Sequence, residues 1–258
     1  MDIGTAKPTL SEREEVLHGM IDVADPADDF TVAQFQADAR RFVEATPGLI
    51  VIVGGSGLHF RSVVDPLSFP EHDPTLRSEL EGLDQDVVVR RLLDLDPAAG
   101  DVIDTHNPRR VVRALEVALL TGETPTARHG SADYAAVQAY EPMVPFVGVG
   151  VDPAGAIEDR VRRRTLRMIE AGLLDEVRGL AGRLGRNAAQ AVGYKELLPV
   201  VSGESDLESA IEEVDRATLA LVKRQRTFFG RDPRIEWVSP EATIEQAVSY
   251  CLDVWRPE

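Results

Sequence analysis

The strongest constraint on the fold is a run of five apolar residues, LIVIV at 49–53, which leads directly into the glycine-rich turn GGSG at 54–57. A continuous run of mostly β-branched residues is typical of a strand buried on both faces inside a parallel sheet. The turn leads into one predicted helix, and another, with Thr31 as its N-cap, precedes the strand. This pattern predicts an α/β architecture.

The rest of the chain divides around a charged helical stretch. A second predicted strand, PFVGVGV, lies at 145–151, and a short final strand, IEWV, lies at 235–238. Between these strands and the first one the apolar spacing is helical. One predicted helix is capped by Asn107 and ends at Gly122, and a long one runs from Leu207 to about Phe229, before the final strand. We therefore predict an α/β core formed by residues 1–70 and 141–258, with a helical insertion at 71–140.

Composition excludes several classes of protein. The 258 residues include 44 acidic and 28 basic side chains, for a net charge of −16. There is no apolar run long enough to span a membrane and no secretory signal, and the single cysteine excludes a disulfide framework. These features predict a cytoplasmic protein without a membrane partner. The net charge by itself argues against binding to nucleic acid.

The positions of the basic residues change that expectation. Three basic clusters lie at 109–113, 160–167 and 223–234 in an otherwise acidic chain. Each cluster by itself is typical of a solvated helix face. The three together favour an anionic ligand.

No self-sufficient catalytic motif is present in the sequence. The five histidines lack the spacing of a metal site, and GGSG lacks the Lys-Ser/Thr that completes a Walker phosphate loop. A tight turn explains its glycines equally well. The turn also offers backbone amides and the Ser56 hydroxyl at a helix N-terminus, which suit an anion or a polar substrate edge.

Six motifs in fixed order extend this interpretation over almost the whole chain. Together they resemble the bacterial tRNA dimethylallyltransferase family, and they read MDIGTAKP, LIVIVGGSGLHFRSVV, NPRRVVRALEV, RVRRRTLRMIEAGLLDEV, QAVGYKEL and KRQRTFF. The resemblance implies a P-loop-kinase-like parallel sheet core with a helical insertion that grips the anticodon arm of tRNA. It also implies transfer of a dimethylallyl group from dimethylallyl diphosphate to N6 of the adenosine 3′ of the anticodon, with Mg²⁺. We expect a monomer.

The same resemblance assigns site residues by position. Ser56 stands where the family has Thr in GGTGLY, close to the reacting base, and Arg164 matches the second arginine of an RIxxR motif at the diphosphate site. No residue of the chain is assigned to the metal. The positions that match tRNA-contacting residues are Arg77, Arg109, Arg110, Arg113, Gln190, Gly193, Tyr194, Lys195, Lys223, Arg224 and Gln225.

The chain departs from the family pattern in several places. His59 and Ser56 replace Tyr and Thr of the usual turn, and Phe228-Phe229-Gly230 replaces a Trp-containing stretch. The family's first strand, its GxTxxGKS/T phosphate loop and its DSxQ segment precede the motif that here starts at Met1. We therefore expect Met1 to be an internal methionine of a longer reading frame. We also expect the two strands next to the missing one to have unpaired edges.

Two alternative functions remain open at this point. The first is an inactive tRNA-binding remnant that keeps the basic clusters without the chemistry. The second is an adenylate isopentenyltransferase acting on free nucleotide, which the helical insertion and the tRNA-contact matches disfavour.

Overall fold

The chain folds into two compact units. A computed structural model describes residues 1–152, 155, 157–238 and 242–255. Unit 1 comprises Met1–Val63 with Val147–Glu258, and unit 2 comprises Val64–Phe146. The sequence prediction set the corresponding boundaries at 71 and 140.

Helices dominate both units. No helix in the described ranges is both long enough and apolar enough to cross a membrane. In chain order the elements are α1 Leu10–Glu15, α2 Val32–Ala45, α3 Gly57–Val64, α4 Pro74–Glu81, α5 Gln85–Leu95, α6 Ala99–Val102, α7 Pro108–Thr121, α8 Pro125–His129, α9 Ala132–Gln138, β1 Gly148–Val151, α10 Ile157–Glu170, α11 Leu173–Leu180, a short 3-10 helix Ala188–Gln190, α12 Tyr194–Ser202, α13 Leu207–Phe229, β2 Ile235–Val238 and α14 Ile244–Val254.

The sheet in the described part of unit 1 is a parallel pair, β1 beside β2. The α/β prediction and the strand predicted at 235–238 are confirmed, and the strand predicted at 145–151 forms over its last four residues. Gly150 lies opposite Trp237 in the register. A Cβ added to Gly150 would lie 2.6 Å from the indole ring, so the pairing needs glycine there.

The strand predicted at 49–53 is wrong in this structure. The segment runs in irregular backbone, and Leu49 and Val53 are 83% and 90% exposed. An apolar run forms a strand only where a neighbouring strand completes its hydrogen bonds. The two strands that the structure describes pair with each other, and neither pairs with this segment.

Local signals correctly predicted several helix ends. Thr31 caps α2 in a capping box with Gln34, and Asn107 caps α7 just before Pro108. Gly122 ends α7 in the left-handed conformation, with φ of +73°. These ends depend on residues within one helical turn, so sequence reasoning can find them.

Each unit has its own apolar core. In unit 1, α11, α12 and α13 bury side chains against one another, and Met1 and Ile3 pack on the same cluster. In unit 2, α4, α5 and α7 do the same. The core residues are Leu173, Val177, Tyr194, Leu197, Ala210 and Val214 in unit 1, and Leu80, Val88, Leu92, Ala99, Val111, Val112 and Leu115 in unit 2.

Candidate functional site

The glycine-rich turn of unit 1 lies against the C-terminal end of α13. A Cβ added to Gly55 would overlap the Gln225 side-chain amide, and one added to Gly57 would overlap the Phe228 ring. The Phe229 ring lies 5.8 Å from that of Phe60, on the helix that the turn begins. The fold therefore brings the turn predicted to hold the reacting base next to a segment predicted to contact tRNA.

Ser56 is held within this turn by a histidine. The Ser56 hydroxyl lies 2.7 Å from Nδ1 of His59, and the His59 ring meets Phe35 edge-on at 4.7 Å. Partial burial lowers the pKa of His59, so the ring is neutral at pH 7. A neutral ring whose Nδ1 carries no proton accepts a hydrogen bond from Ser56, which leaves the serine oxygen free to accept one from a substrate.

The predicted diphosphate residue, Arg164, lies on the exposed side of α10. The helix is fixed to α13 through neighbouring positions, because Thr165 donates to Asp215 at 2.6 Å and Arg162 pairs with the same carboxylate at 3.1 Å. Arg164 itself is exposed and has no ion pair within the described residues. It is thus a cation on an anchored helix, available to an anionic ligand.

Lys223 and Arg224 are exposed on the last turns of α13. Their neighbour Arg226 pairs with Asp152, just after β1, at 2.6 Å. This ion pair joins the end of a strand to the same part of α13 that touches the glycine turn. Predicted RNA-contacting cations and the predicted base-holding turn therefore share one end of α13.

The predicted segment at 190–195 combines exposed and buried positions. Gln190 ends the 3-10 helix, and Lys195 is exposed on α12. Gly193 has φ of +93°, which favours glycine, and Tyr194 is fully buried. Gly193 and Tyr194 are both buried, so of the four predicted residues only Gln190 and Lys195 are exposed.

Glu176 of α11 holds the first motif, MDIGTAKP, by hydrogen bonds to its backbone. Its carboxylate accepts hydrogen bonds from the backbone N–H groups of Asp2, Ile3 and Gly4, and from the Tyr194 hydroxyl. Gly4 lies on the Tyr194 ring, where an added Cβ would overlap it. Burial by itself would raise the pKa of Glu176, but these hydrogen bonds together lower it.

A second buried carboxylate organises unit 2. Glu116 on α7 is fully buried and accepts from Arg113 at 2.8 Å, Arg77 at 3.2 Å and His72 at 2.6 Å. The N–H of Asp73 adds a fourth bond at 3.2 Å. Burial would raise the pKa of Glu116, but the Arg113 and His72 bonds outweigh it and lower the pKa.

The predicted arginines of the insertion meet around one cavity inside unit 2. This cavity has a volume of about 620 Å³, and Arg77, Arg109, Arg110 and Arg113 all line it. Glu116 holds Arg77 and Arg113, whereas the exposed Arg109 and Arg110 have no ion pair in unit 2, which is described throughout. The structure thus gathers four predicted residues that are up to 36 positions apart in the sequence.

The described residues do not by themselves form a metal centre. Within ranges 1–152, 157–238 and 242–255, no group of three or more His, Cys, Asp or Glu side chains has the arrangement of a metal site. We therefore assign no metal ligand and derive no catalytic step through a metal.

Comparison with known proteins identifies the family. The profile of the IPP transferase family matches residues 1–232. The chain belongs to the IPP transferase family. It is 37% identical to a tRNA dimethylallyltransferase of Bifidobacterium animalis subsp. lactis, over 93% of this chain and 70% of that protein. It is 41% identical to a tRNA dimethylallyltransferase of Streptomyces griseus, over 92% of this chain and 77% of that protein.

Solved structures agree with the family assignment. The tRNA isopentenylpyrophosphate transferase of Bacillus halodurans matches this IPP transferase chain with a TM-score of 0.66 and 31% identity, over 98% of this chain and 82% of that one. A eukaryotic dimethylallyltransferase acting on tRNA has a TM-score of 0.73 at 21% identity, which shows a shared fold.

Sequence reasoning missed the two carboxylates that organise this IPP transferase. Each lies within an apolar stripe: Glu116 is one turn from Val112, and Glu176 is one turn from Leu173. The sequence signal for both is an acidic residue at a position of the apolar stripe, where the helical spacing predicts an apolar residue. That signal indicates a buried carboxylate with partners, although it does not identify the partners.

Proposed function

We propose that this chain transfers a dimethylallyl group from dimethylallyl diphosphate to N6 of the adenosine 3′ of the anticodon in tRNA. In this reaction the N6 lone pair bonds to C1 of the allyl group, the C1–O bond breaks, and its electron pair leaves with the diphosphate. The amine gives up one proton, which passes to solvent. The proposal includes a cytoplasmic location and a single copy of the chain.

The observation that carries the proposal is the close approach of the glycine turn and α13. It places the Ser56 hydroxyl, the Gln225 amide and the ring of Phe228 around one turn. A side-chain amide matches the N6 and N7 edge of adenine, and an aromatic ring stacks on a base that has left its helix. An enzyme acting on a base inside an RNA loop needs groups of this kind beside that base, because the base must unstack to react.

Arg164 serves the other substrate in this proposal. Negative charge grows on the diphosphate as the C1–O bond breaks, and a fixed cation stabilises that state. The planar guanidinium binds two phosphate oxygens at once. Because α10 is anchored through Thr165 and Arg162, the Arg164 backbone is in place before the substrate binds.

The direct test incubates the full chain with unmodified tRNA, dimethylallyl diphosphate and Mg²⁺, and measures prenylated adenosine by mass spectrometry. The family assignment supports the presence of Mg²⁺, which can enter with the diphosphate. We expect product with tRNA and none with free AMP. Binding of tRNA without product would instead favour the RNA-binding remnant, and product from AMP would favour the free-nucleotide activity.

Replacing Arg164 by Ala is expected to lower kcat for transfer by about 100-fold while tRNA affinity changes little, since the cation acts on the leaving group. The matched control is Arg163→Ala, an exposed arginine one position away whose side chain points elsewhere around α10. Equal losses of transfer and tRNA binding in Arg164→Ala would contradict its role. An equal loss of kcat in the control would do the same.

The rate of transfer is expected to fall at acid pH because of His59. As the pH drops through the lowered pKa of His59, a proton on Nδ1 removes the acceptor of the Ser56 hydroxyl. The pH profile of kcat/KM should lose this acid limb in His59→Tyr, which carries the residue of the family's usual turn. His18→Tyr, an exposed histidine of the same unit, should keep it. An unchanged acid limb in His59→Tyr would rule this explanation out.

A further inference from the structure

We infer that the cavity of unit 2 binds one unstacked nucleotide of the tRNA, other than the adenosine that is prenylated. This inference rests on the proposed function and extends it, because Ser56 and Arg164 belong to unit 1 whereas this cavity lies wholly inside unit 2. The cavity supplies a second point of recognition on the same RNA.

The charge of the cavity fits a phosphate. Five arginines line it, and Glu123 is its one acidic lining residue. Glu81 and Glu116 together balance the charges of Arg77 and Arg113. Glu123 lies 3.6 Å from Arg128. Arg109 and Arg110 keep their full charge on the first turn of α7. Two guanidinium groups that line one cavity without an ion pair suit a phosphate, in a protein whose total charge is −16.

The other walls of the cavity fit a base. Ile103, Val117 and Pro125 provide an apolar lining. The His129 and Tyr134 rings lie beside them with centroids 4.3 Å apart and planes inclined by 38°. Ring pairs of this kind stack on unpaired bases of single-stranded RNA. A volume of about 620 Å³ lies within the usual range for a small-molecule site.

The buried carboxylate beneath the cavity keeps its arginines in place. Glu116 bonds both Arg77 and Arg113, and Arg113 also donates to the carbonyl oxygens of Pro70 and Glu71. Side chains already fixed lose little freedom when a ligand arrives. The cavity thus combines two arginines held by Glu116, two arginines without an ion pair, and the His129 and Tyr134 rings. This combination indicates a nucleotide rather than a bare anion or an apolar ligand.

The test is a set of anticodon-arm RNAs, each lacking one base in the loop while keeping its phosphates, with affinity measured by fluorescence anisotropy. Wild-type protein should lose about 10-fold in affinity at one position besides the modified adenosine, because one stacked base is missing there. In Tyr134→Ala and in His129→Ala, removing that base should cost less affinity or none, since one of the two rings that contact the base is gone. Arg110→Ala should weaken binding of every RNA in the set and make it less dependent on salt.

Arg91→Ala is the matched control, because Arg91 is an exposed arginine of the same unit that does not line the cavity. Arg91→Ala should lose as much affinity as wild type for the RNA that lacks the base bound in the cavity. The inference would be overturned, and the proposed function would stand, if wild type transfers the prenyl group but the variants Tyr134→Ala and His129→Ala lose the same affinity as wild type for every RNA that lacks a base. Failure of wild type to bind or modify the intact RNA would overturn both. Circular dichroism of each variant verifies that unit 2 keeps its helices.

Discussion

Replacing Glu116 by Gln is expected to lower the free energy of unfolding of unit 2 by about 3 kcal/mol. The wild-type carboxylate is fully buried and accepts from Arg77, Arg113, His72 and the N–H of Asp73. A neutral amide keeps one acceptor oxygen and turns an N–H group toward two guanidinium groups. Both arginines then lose their buried counter-charge, while the remaining oxygen still accepts from His72 and from the N–H of Asp73.

The distribution of tryptophan makes this effect measurable in unit 2 alone. Both tryptophans of the chain, Trp237 and Trp255, belong to unit 1. Denaturant unfolding should therefore show an early transition by circular dichroism while tryptophan fluorescence changes later. Glu79→Gln, an exposed carboxylate of the same unit, should leave both signals as in wild type. Coincident, unshifted transitions in Glu116→Gln would show that the cluster contributes nothing to stability.

Replacing Glu176 by Gln is expected to cost unit 1 a similar free energy, about 3 kcal/mol, because three backbone N–H groups and the Tyr194 hydroxyl share this carboxylate. Asp175→Asn is the matched control. Both acids lie in the first turn of α11, so both interact with the helix dipole, but Asp175 is 80% exposed. The tryptophan signal should shift for Glu176→Gln and stay in place for the control.

The pH dependence has a definite sign. Since the pKa of folded Glu176 lies below its ordinary value of 4.5, its contribution to stability is complete above that value and is lost as the pH falls through the folded pKa. The difference in the free energy of unfolding between wild type and Glu176→Gln should thus be largest near neutral pH and should disappear at acid pH. A difference that is the same at both would mean that the charge of Glu176 is not what stabilises unit 1.

Sequence reasoning predicted the parts of this fold that depend on neighbouring residues. The helix caps at Thr31 and Asn107 and the stop at Gly122 are formed by groups within one turn. The final strand and the long helix before it also agree with the prediction. The segment at 49–53 did not, because strand formation depends on a partner elsewhere in the chain, which an apolar run does not identify.

The candidate site shows the same division. Motif positions pointed to Ser56, Arg164 and the arginines of the insertion, while the structure adds the contact of Gly55 with Gln225 and the cavity that gathers the unit 2 arginines. Neither follows from spacing, since each joins residues distant in the chain. Which of these residues contact tRNA stays a prediction that the binding and transfer experiments test.

The irregular segment at 49–53 has a consequence for hydrogen exchange. Within the described residues its backbone amides have no hydrogen-bond partner, whereas β1 and β2 are hydrogen-bonded to each other. Its amides should therefore exchange with deuterium at nearly the rate of an unfolded peptide, while the helical amides of the core formed by α11, α12 and α13 exchange slowly. Slowed exchange at these few positions would be the first sign of a strand joining this segment from outside, whatever chain supplied it.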